Sequence, residues 1–413
     1  MWTWALDRAL TRLFRRGAVE ITYPSGKVRR YGEPGAAPIR VRITDPSLPR
    51  RLCLDTELAL GEGYMDGGIV FEDDAMRAFI HLAVENRSAG NNPALIRWSH
   101  RLAAPVQRYF RRNPIHAARR NVAHHYDLSG RLYDLFLDAD RQYSCAYFAH
   151  PGMSLDEAQE AKKQHIARKL RLRPGDRVLD IGCGWGGMAI TLARDYGAEV
   201  LGITLSEEQH AVATARVREA GLEDRVEICL QDYRKVRGRF DAIVSVGMFE
   251  HVGRPEFDTY FATVAKLLKP DGRALIHTIG NQDPPQATSS WIRKYIFPGG
   301  YIPAMSEALA SVEQSGMMTL DVEVWRLHYA ETLRHWHDRF VARLDEARAL
   351  YDERFCRMWR YYLTIAESGF RQDRLCVFQF QLGHQRDAVP ITRDYLYPAD
   401  GTPAYAQTAH AAE

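Results

Sequence analysis

The chain has 413 residues, 46% of them hydrophobic and 26% charged, which excludes disordered and collagen-like classes and allows one large core beside a smaller domain. The net charge of +3 is too small to argue for nucleic acid, and no apolar run reaches the length of a spanning helix. Six scattered cysteines without CxxC or metal-like histidine spacing, and a start without a basic region before an apolar core, read as free thiols in a cytoplasmic protein.

Residues 1–16 predict a short amphipathic helix: Trp2, Leu6, Leu10, Leu13 and Phe14 share one face and the arginines lie mostly on the other. Such a helix lies in a lipid interface or packs its stripe on its own protein. Residues 18–45 predict a hairpin with a Pro24-Ser25-Gly26 turn and a third strand over 39–43. Residues 51–115 read as mostly helical, with loops at 61–68 and 88–93, and the basic stretch 108–120 reads as a linker. Basic residues crowd this first third, from Arg8, Arg12, Arg15 and Arg16 to Arg111, Arg112, Arg119 and Arg120. They form either a solvated surface or one that attracts anionic lipid headgroups.

From about residue 121, strand and helix patterns alternate, as in a parallel sheet with crossover helices. Strands are expected at 178–181, 200–205, 226–230, 242–248 and 274–278, with helices over 189–196 and 256–268 and one capped by Ser206. A loop covers 280–303, and a helix stops at Gly316. A strand follows near 320–325, then a charged helical stretch over 331–369 and a strand over 376–382. A soft tail follows, giving 1–115, 116–388 and 389–413 as the expected divisions.

Gly182, Gly184 and Gly187 fit the G-x-G-x-x-G spacing between a strand and a helix. Glycines there let the backbone approach a ligand closely, yet the bare pattern is shared with dinucleotide-binding folds. An NAD site wants an acid at the tip of the second strand, and here that strand ends Thr204-Leu205-Ser206. Instead Asp180 precedes the first glycine by two residues and Asp232 follows the third strand, the pattern of an S-adenosylmethionine site. Asp232 can accept from the adenine amino group, or merely cap a helix.

With His125-Tyr126-Asp127-Leu128, Gln142 to Phe148, Gln231 to Arg234, Val244 to Gly253, His277 to Gly280 and Trp291 to Pro298 added, the sequence resembles the cyclopropane fatty acid synthase family, which includes the mycolic acid cyclopropane synthases. The resemblance runs from about 121 to 382 and is loose before that. It implies an α/β class I (Rossmann-like) methyltransferase with a seven-stranded, mostly parallel sheet, plus a smaller mixed, largely helical N-terminal domain for lipid engagement or dimerisation. The implied reaction moves a methylene group from S-adenosylmethionine to the cis double bond of a phospholipid acyl chain, through a carbocation deprotonated by bound bicarbonate. Carried over residue by residue, Cys145 and Ile279 hold the bicarbonate through backbone groups, and Glu250, His277 and Tyr329 through side chains. Tyr143, Ser144, Asp180, Gly182, Gly184, Thr204, Gln209, Gln231 and Asp232 hold the cofactor, and no metal is implied.

Taken singly, each of these residues has a plainer reading. Cys145 is a small buried hydrophobe, His277 a satisfied core histidine and Tyr329 packing. Glu250 is harder to dismiss, because it ends an apolar strand at the edge where open α/β sheets bind ligands. The implied partners are membrane phospholipids with unsaturated chains, met peripherally at the inner face of the membrane, and a homodimer fits the resemblance. Loss of the proton without ring closure would instead give a methylene-branched chain, or a methyl-branched one after reduction. An NAD oxidoreductase and a non-enzymatic lipid-binding protein are the remaining alternatives.

Overall fold

The structure is a computed structural model and describes residues 1–91 and 130–397. The expected linker, the 115/116 boundary, the His125-Tyr126-Asp127-Leu128 motif and residues 398–413 lie outside the described residues.

The N-terminal part builds a four-stranded sheet from β1 (Ala18–Thr22), β2 (Val28–Gly32), β3 (Pro38–Ile43) and β4 (Ile69–Phe71), in the order β2-β1-β3-β4. β1 and β2 form the expected hairpin, with Ala18 opposite Gly32, while β3 runs parallel to β1. Period-two alternation sends Val19, Ile21, Tyr31, Val41 and Ile43 into the core. The short β4 had no sequence signal of its own.

One alternative is decided here and one expectation is corrected. The stripe of the Trp2–Leu13 helix faces its own protein: Leu6 and Phe14 are buried, and Trp2, Leu10 and Leu13 pack against the same core. Trp4, off that stripe, is the exposed aromatic, with the Arg8 guanidinium 5.0 Å from its ring. The expected loop at 61–68 is mostly helix, Thr56–Met65. Gly61 is there for close approach, since a Cβ would stand 2.3 Å from Trp291 Cδ1. Burial against another helix outweighs the low helix propensity of glycine.

The larger part is a seven-stranded sheet in the order β10-β11-β9-β8-β5-β6-β7. Its strands are β5 (Arg177–Ile181), β6 (Glu199–Thr204), β7 (Val226–Leu230), β8 (Phe240–Val246), β9 (Leu268–Asn281), β10 (Met318–Trp325) and β11 (Leu375–Gly383). The first five are parallel, and β11 and β10 join antiparallel at one side. The chain order reverses between β5, paired to β6, and β8. That switch point opens a crevice at the carboxyl ends of the strands, where such sheets bind ligands.

The expected loop over 280–303 contains the helix Ser290–Tyr295, anchored by fully buried Trp291. The charged stretch over 331–369 is three helices, His328–Ala342, Leu344–Leu350 and Glu353–Arg371. The tail is not soft up to 397: Leu396 is buried, Arg393 pairs with Asp321 and Tyr395 donates to Gln381 Oε1.

One hydrophobic core unites the two parts, joining Ile43, Phe71 and Phe79 to Phe136, Trp291, Trp336 and Trp359. Ion pairs such as Arg77–Glu367 (2.7 Å) and Lys294–Glu62 (2.6 Å) edge that contact. No helix among the described residues is long and apolar enough to cross a membrane.

Candidate active site

Two adjoining cavities lie at the switch point. The first is lined by the turn after β5, the ends of β6 and β8, the turn after β7 and the segment Arg141–Ser144. Every residue expected to hold the cofactor lines it: Tyr143, Ser144, Asp180, Gly182, Gly184, Thr204, Gln209, Gln231 and Asp232.

Local structure explains the placement. Gly182 has φ +82° and a Cβ there would stand 2.9 Å from Met248, so only glycine suits the turn. Ser206 caps the Glu207–Glu219 helix by accepting from Gln209 N, and the same turn brings Thr204 Oγ1 2.9 Å from Gln209 Oε1. Asp180 is buried, its Oδ2 has no hydrogen-bond partner, and burial pushes its carboxyl up to about 7. An orphaned buried acceptor is costly, and a cationic ligand group would relieve it. Burial would raise Asp232 too, but three donor contacts from Arg234 outweigh it and hold the carboxyl low. Asp232 therefore does cap the turn at Tyr233–Lys235, as its plainer reading had it. A carboxylate has about four acceptor sites, so this role does not exhaust it.

The second cavity is large, about 1250 Å³, and exceeds the usual span of small-molecule sites. Cys145, Glu250, His277, Ile279 and Tyr329 all line it. Tyr143, Ser144, Gly247 and His251 line both cavities. Its far wall comes from the N-terminal part, which supplies the apolar Leu13, Leu60, Ile80, Ala83 and Val84 beside the polar Thr56, Glu57, Arg87 and Ser88.

Glu250 follows β8 in a tight turn, Phe249–His251. Its Oε1 accepts from Ile279 N at 2.6 Å, whereas Oε2 is buried without a partner. Burial, opposed by that N–H, pushes the carboxyl up to about 7. His277 sits on β9, 2% exposed, with Nδ1 3.0 Å from Gln379 Nε2. Burial and the nearby charges of Lys162 and Lys169 depress its pKa strongly, so the ring is neutral. Burial pushes the Cys145 thiol up as well, which keeps it from acting as a thiolate. Tyr329 is buried with its ring against Phe370 at 4.7 Å.

Sequence reasoning missed several residues. Lys162 is fully buried and donates to Ser144 Oγ and Gln142 Oε1, both at 2.7 Å, with burial bringing its pKa down to about 8. Its signal was a lysine on the inner face of the Leu155–Leu170 helix. His251, left unassigned beside Glu250, borders both cavities, and burial lowers it to about 4. The N-terminal wall carried no motif.

The family model for mycolic acid cyclopropane synthetase matches residues 114–380. The cyclopropane-fatty-acyl-phospholipid synthase of Escherichia coli (strain K12) is 40% identical over 345 residues, 84% of this chain and 88% of its own length. The chain belongs to the cyclopropane synthase family. Tuberculostearic acid methyltransferase UfaA1 of Mycobacterium tuberculosis is 37% identical over 393 residues, 90% of each chain. The mycolic acid cyclopropane synthase CmaA1, solved with SAH and CTAB, is 34% identical with a TM-score of 0.61, covering 64% of this chain and 97% of its own. Residues 5–92 match a domain of unknown function (DUF7884). This chain is thus an S-adenosylmethionine-dependent methyltransferase with a class I, Rossmann-like catalytic sheet, and the alternative of an NAD oxidoreductase is set aside.

Proposed function

We propose that this enzyme adds a methylene group across the cis double bond of a membrane phospholipid acyl chain, making a cyclopropane. The observation that carries the reading is Glu250 Oε2, a buried acceptor without a partner, on the wall of a large, mainly apolar cavity that adjoins the one lined by the expected cofactor residues.

S-adenosylmethionine supplies an electrophilic methyl on a sulfonium. The residues that would hold it are those of the first cavity, with Asp180 towards its ammonium and Gln231 and Asp232 towards adenine. The second cavity holds the acyl chain, keeps water out and sets the double bond facing the methyl. The alkene π electrons would form the new carbon–carbon bond as the methyl–sulfur bond breaks with its electron pair left on sulfur, and the positive charge would fall on the chain. The aromatic faces of Tyr143, Tyr329 and Tyr362 and the negative end of Glu250 favour that charge. Loss of a proton from the added methyl closes the ring. Bicarbonate fits the remaining groups, since its hydroxyl can donate to Glu250 Oε2 while its oxygens accept from His277 and Tyr329. Held there, it would supply a base for that proton. The Ile279 N–H, expected to hold the bicarbonate directly, donates to Glu250 Oε1 instead and so serves this set by fixing the carboxylate, and Cys145 acts through its backbone because its thiol stays protonated.

The substrate chain lies in a bilayer, so we infer peripheral attachment to the inner face of the membrane, with residues 1–115 as the lipid-engaging or dimerising part. Flotation of the full chain with anionic and with zwitterionic vesicles tests this; no association with either rejects it.

The likeness to tuberculostearic acid methyltransferase UfaA1 favours a second reading, in which a hydride shifts from the methyl-bearing carbon to the cation and the methyl then loses a proton, leaving a methylene branch. Incubation with S-adenosylmethionine, bicarbonate and vesicles of cis-monounsaturated phospholipid, followed by gas chromatography and proton NMR, separates the two isomeric products. Unchanged chains would reject both readings.

A further inference from the structure

A polar row crosses the sheet on one face. The strand register puts Gln379 of β11 opposite His277 of β9 on one side and Glu323 of β10 on the other. Such cross-strand partners hold their side chains about 5 Å apart on the same face. Lys169, from the Leu155–Leu170 helix, sits over the row and donates from Nζ to Gln379 Oε1 at 2.8 Å and to Glu323 Oε2. His165 Nε2 lies 2.8 Å from Glu323 Oε2. Lys169, Gln379 and His277 are each at most 2% exposed.

We propose that Gln379, oriented by Lys169, is a positioning residue that fixes the proton of neutral His277 on Nε2 and so presents the ring as a hydrogen-bond donor to the acyl cavity. The neighbours of Gln379 fix which way its amide faces. A lysine ammonium can only donate, so the Gln379 atom facing it is the carbonyl oxygen. The amide NH2 then faces His277 Nδ1, which must accept, and the ring proton is left on Nε2. The ring lines the cavity, and with Nδ1 taken, Nε2 is the nitrogen available to a ligand there.

Electrostatics agree with this geometry. Burial tends to raise Glu323, but His165 and Lys169 outweigh it and hold Glu323 as a carboxylate; burial lowers Lys169, and the carboxylate beside it opposes that fall. The charged and titratable groups around His277 are Lys162, Lys169 and His165 from the helix and Glu323 from β10, with Glu250 on the same cavity wall. Both lysines oppose an imidazolium, so the donor must come from the tautomer rather than from a second proton.

The catalytic part of this inference rests on the proposed role of His277 towards an anion; the tautomer itself does not. The test begins on the full-length wild-type protein with 15N-labelled histidine, His277 being assigned by comparison with His277→Gln. Nδ1 should resonate as an unprotonated nitrogen and Nε2 as a protonated one, and the reverse pattern overturns the proposal whatever the reaction proves to be. Gln379→Glu places an acceptor against Nδ1 and should move the proton there. At pH 8 we expect kcat to fall at least 100-fold with unchanged affinity for S-adenosylmethionine, and activity relative to wild type at the same pH to recover as pH is lowered and the imidazolium regains an Nε2 proton. Gln379→Met, which imposes neither tautomer, should lose less and show no such recovery. Wild-type kcat in both variants overturns the positioning role. Wild-type turnover that needs no bicarbonate, with the tautomer as predicted, counts against the bicarbonate reading alone.

Discussion

Ile279 N donates to Glu250 Oε1 at 2.6 Å, and this bond turns the other carboxylate oxygen into the one buried acceptor Glu250 can offer a ligand. Burial raises the group to about 7 despite that N–H, so its charge changes near neutral pH. If the ionised form is the one that works, turnover rises with pH through about 7 and drops towards tenfold per unit below it. Glu250→Gln keeps the shape but replaces the acceptor oxygen by a donor or a weaker acceptor. It should cut kcat by roughly 10²–10³-fold, on the scale of removing one preorganised polar group, flatten that limb of the profile and leave cofactor binding intact. Full activity in the variant would remove Glu250 from the mechanism.

Asp180 makes a related prediction about binding. Its carboxyl is also raised to about 7 by burial, with Oδ2 unpartnered. Pairing with the cofactor ammonium requires the ionised form, so binding should release a proton near and below pH 7 and weaken as pH falls. Calorimetry in two buffers of different ionisation enthalpy measures that proton. Asp180→Asn should weaken S-adenosylmethionine by about 10–100-fold, the range of a charge-assisted hydrogen bond, and abolish the proton release. Equal proton release in the variant would place the linkage elsewhere.

Gly61 tests the joint between the two parts. A Cβ at 2.3 Å from the Trp291 ring forces the fully buried indole to move. Overpacking of this kind costs about 1–3 kcal/mol, against a gain of up to ~1 kcal/mol in helix propensity for Gly61→Ala. The net expectation is a lower melting temperature, by a few degrees, with a larger fall for Gly61→Leu. A rise in Tm for both would mean that the helix does not rest on Trp291.

The parallel sheet was legible because its strands are buried runs spaced by glycine turns and capped helices: Val178 to Gly187 announces strand, turn and helix in ten residues. The site was legible for the same reason, since Asp180, Asp232 and Glu250 all stand at strand ends. What failed was what depends on distant partners. Gly61 looked like a loop residue because nothing local reveals that Trp291 will lie on it. The Trp2–Leu13 stripe left both lipid and protein open, and only the presence of a core beneath it decides for protein. The row His277, Gln379 and Glu323 joins three strands from distant parts of the chain, and its register exists only once β11 and β10 have added to the sheet.

The last prediction concerns the far wall of the acyl cavity, which the N-terminal part supplies through Leu13, Leu60, Ile80, Ala83 and Val84. Ala83 lies on the Met76–Asn86 helix and is only partly buried, so a larger side chain can grow into the cavity without displacing core atoms. Ala83→Trp adds bulk on the order of 140 Å³ to a space of about 1250 Å³, enough to obstruct a long chain but not to fill the site. The expected result is a kcat/KM for a sixteen- or eighteen-carbon phospholipid reduced about tenfold, with shorter chains less affected. Affinity for S-adenosylmethionine should not change, because none of these residues lines the first cavity. An equal loss for every chain length, with a lowered melting temperature, would mean that the substitution damages packing. Unaltered kinetics on all lengths would mean that the acyl chain does not run along this wall, and that the N-terminal part supports the enzyme in some way other than lining its lipid site.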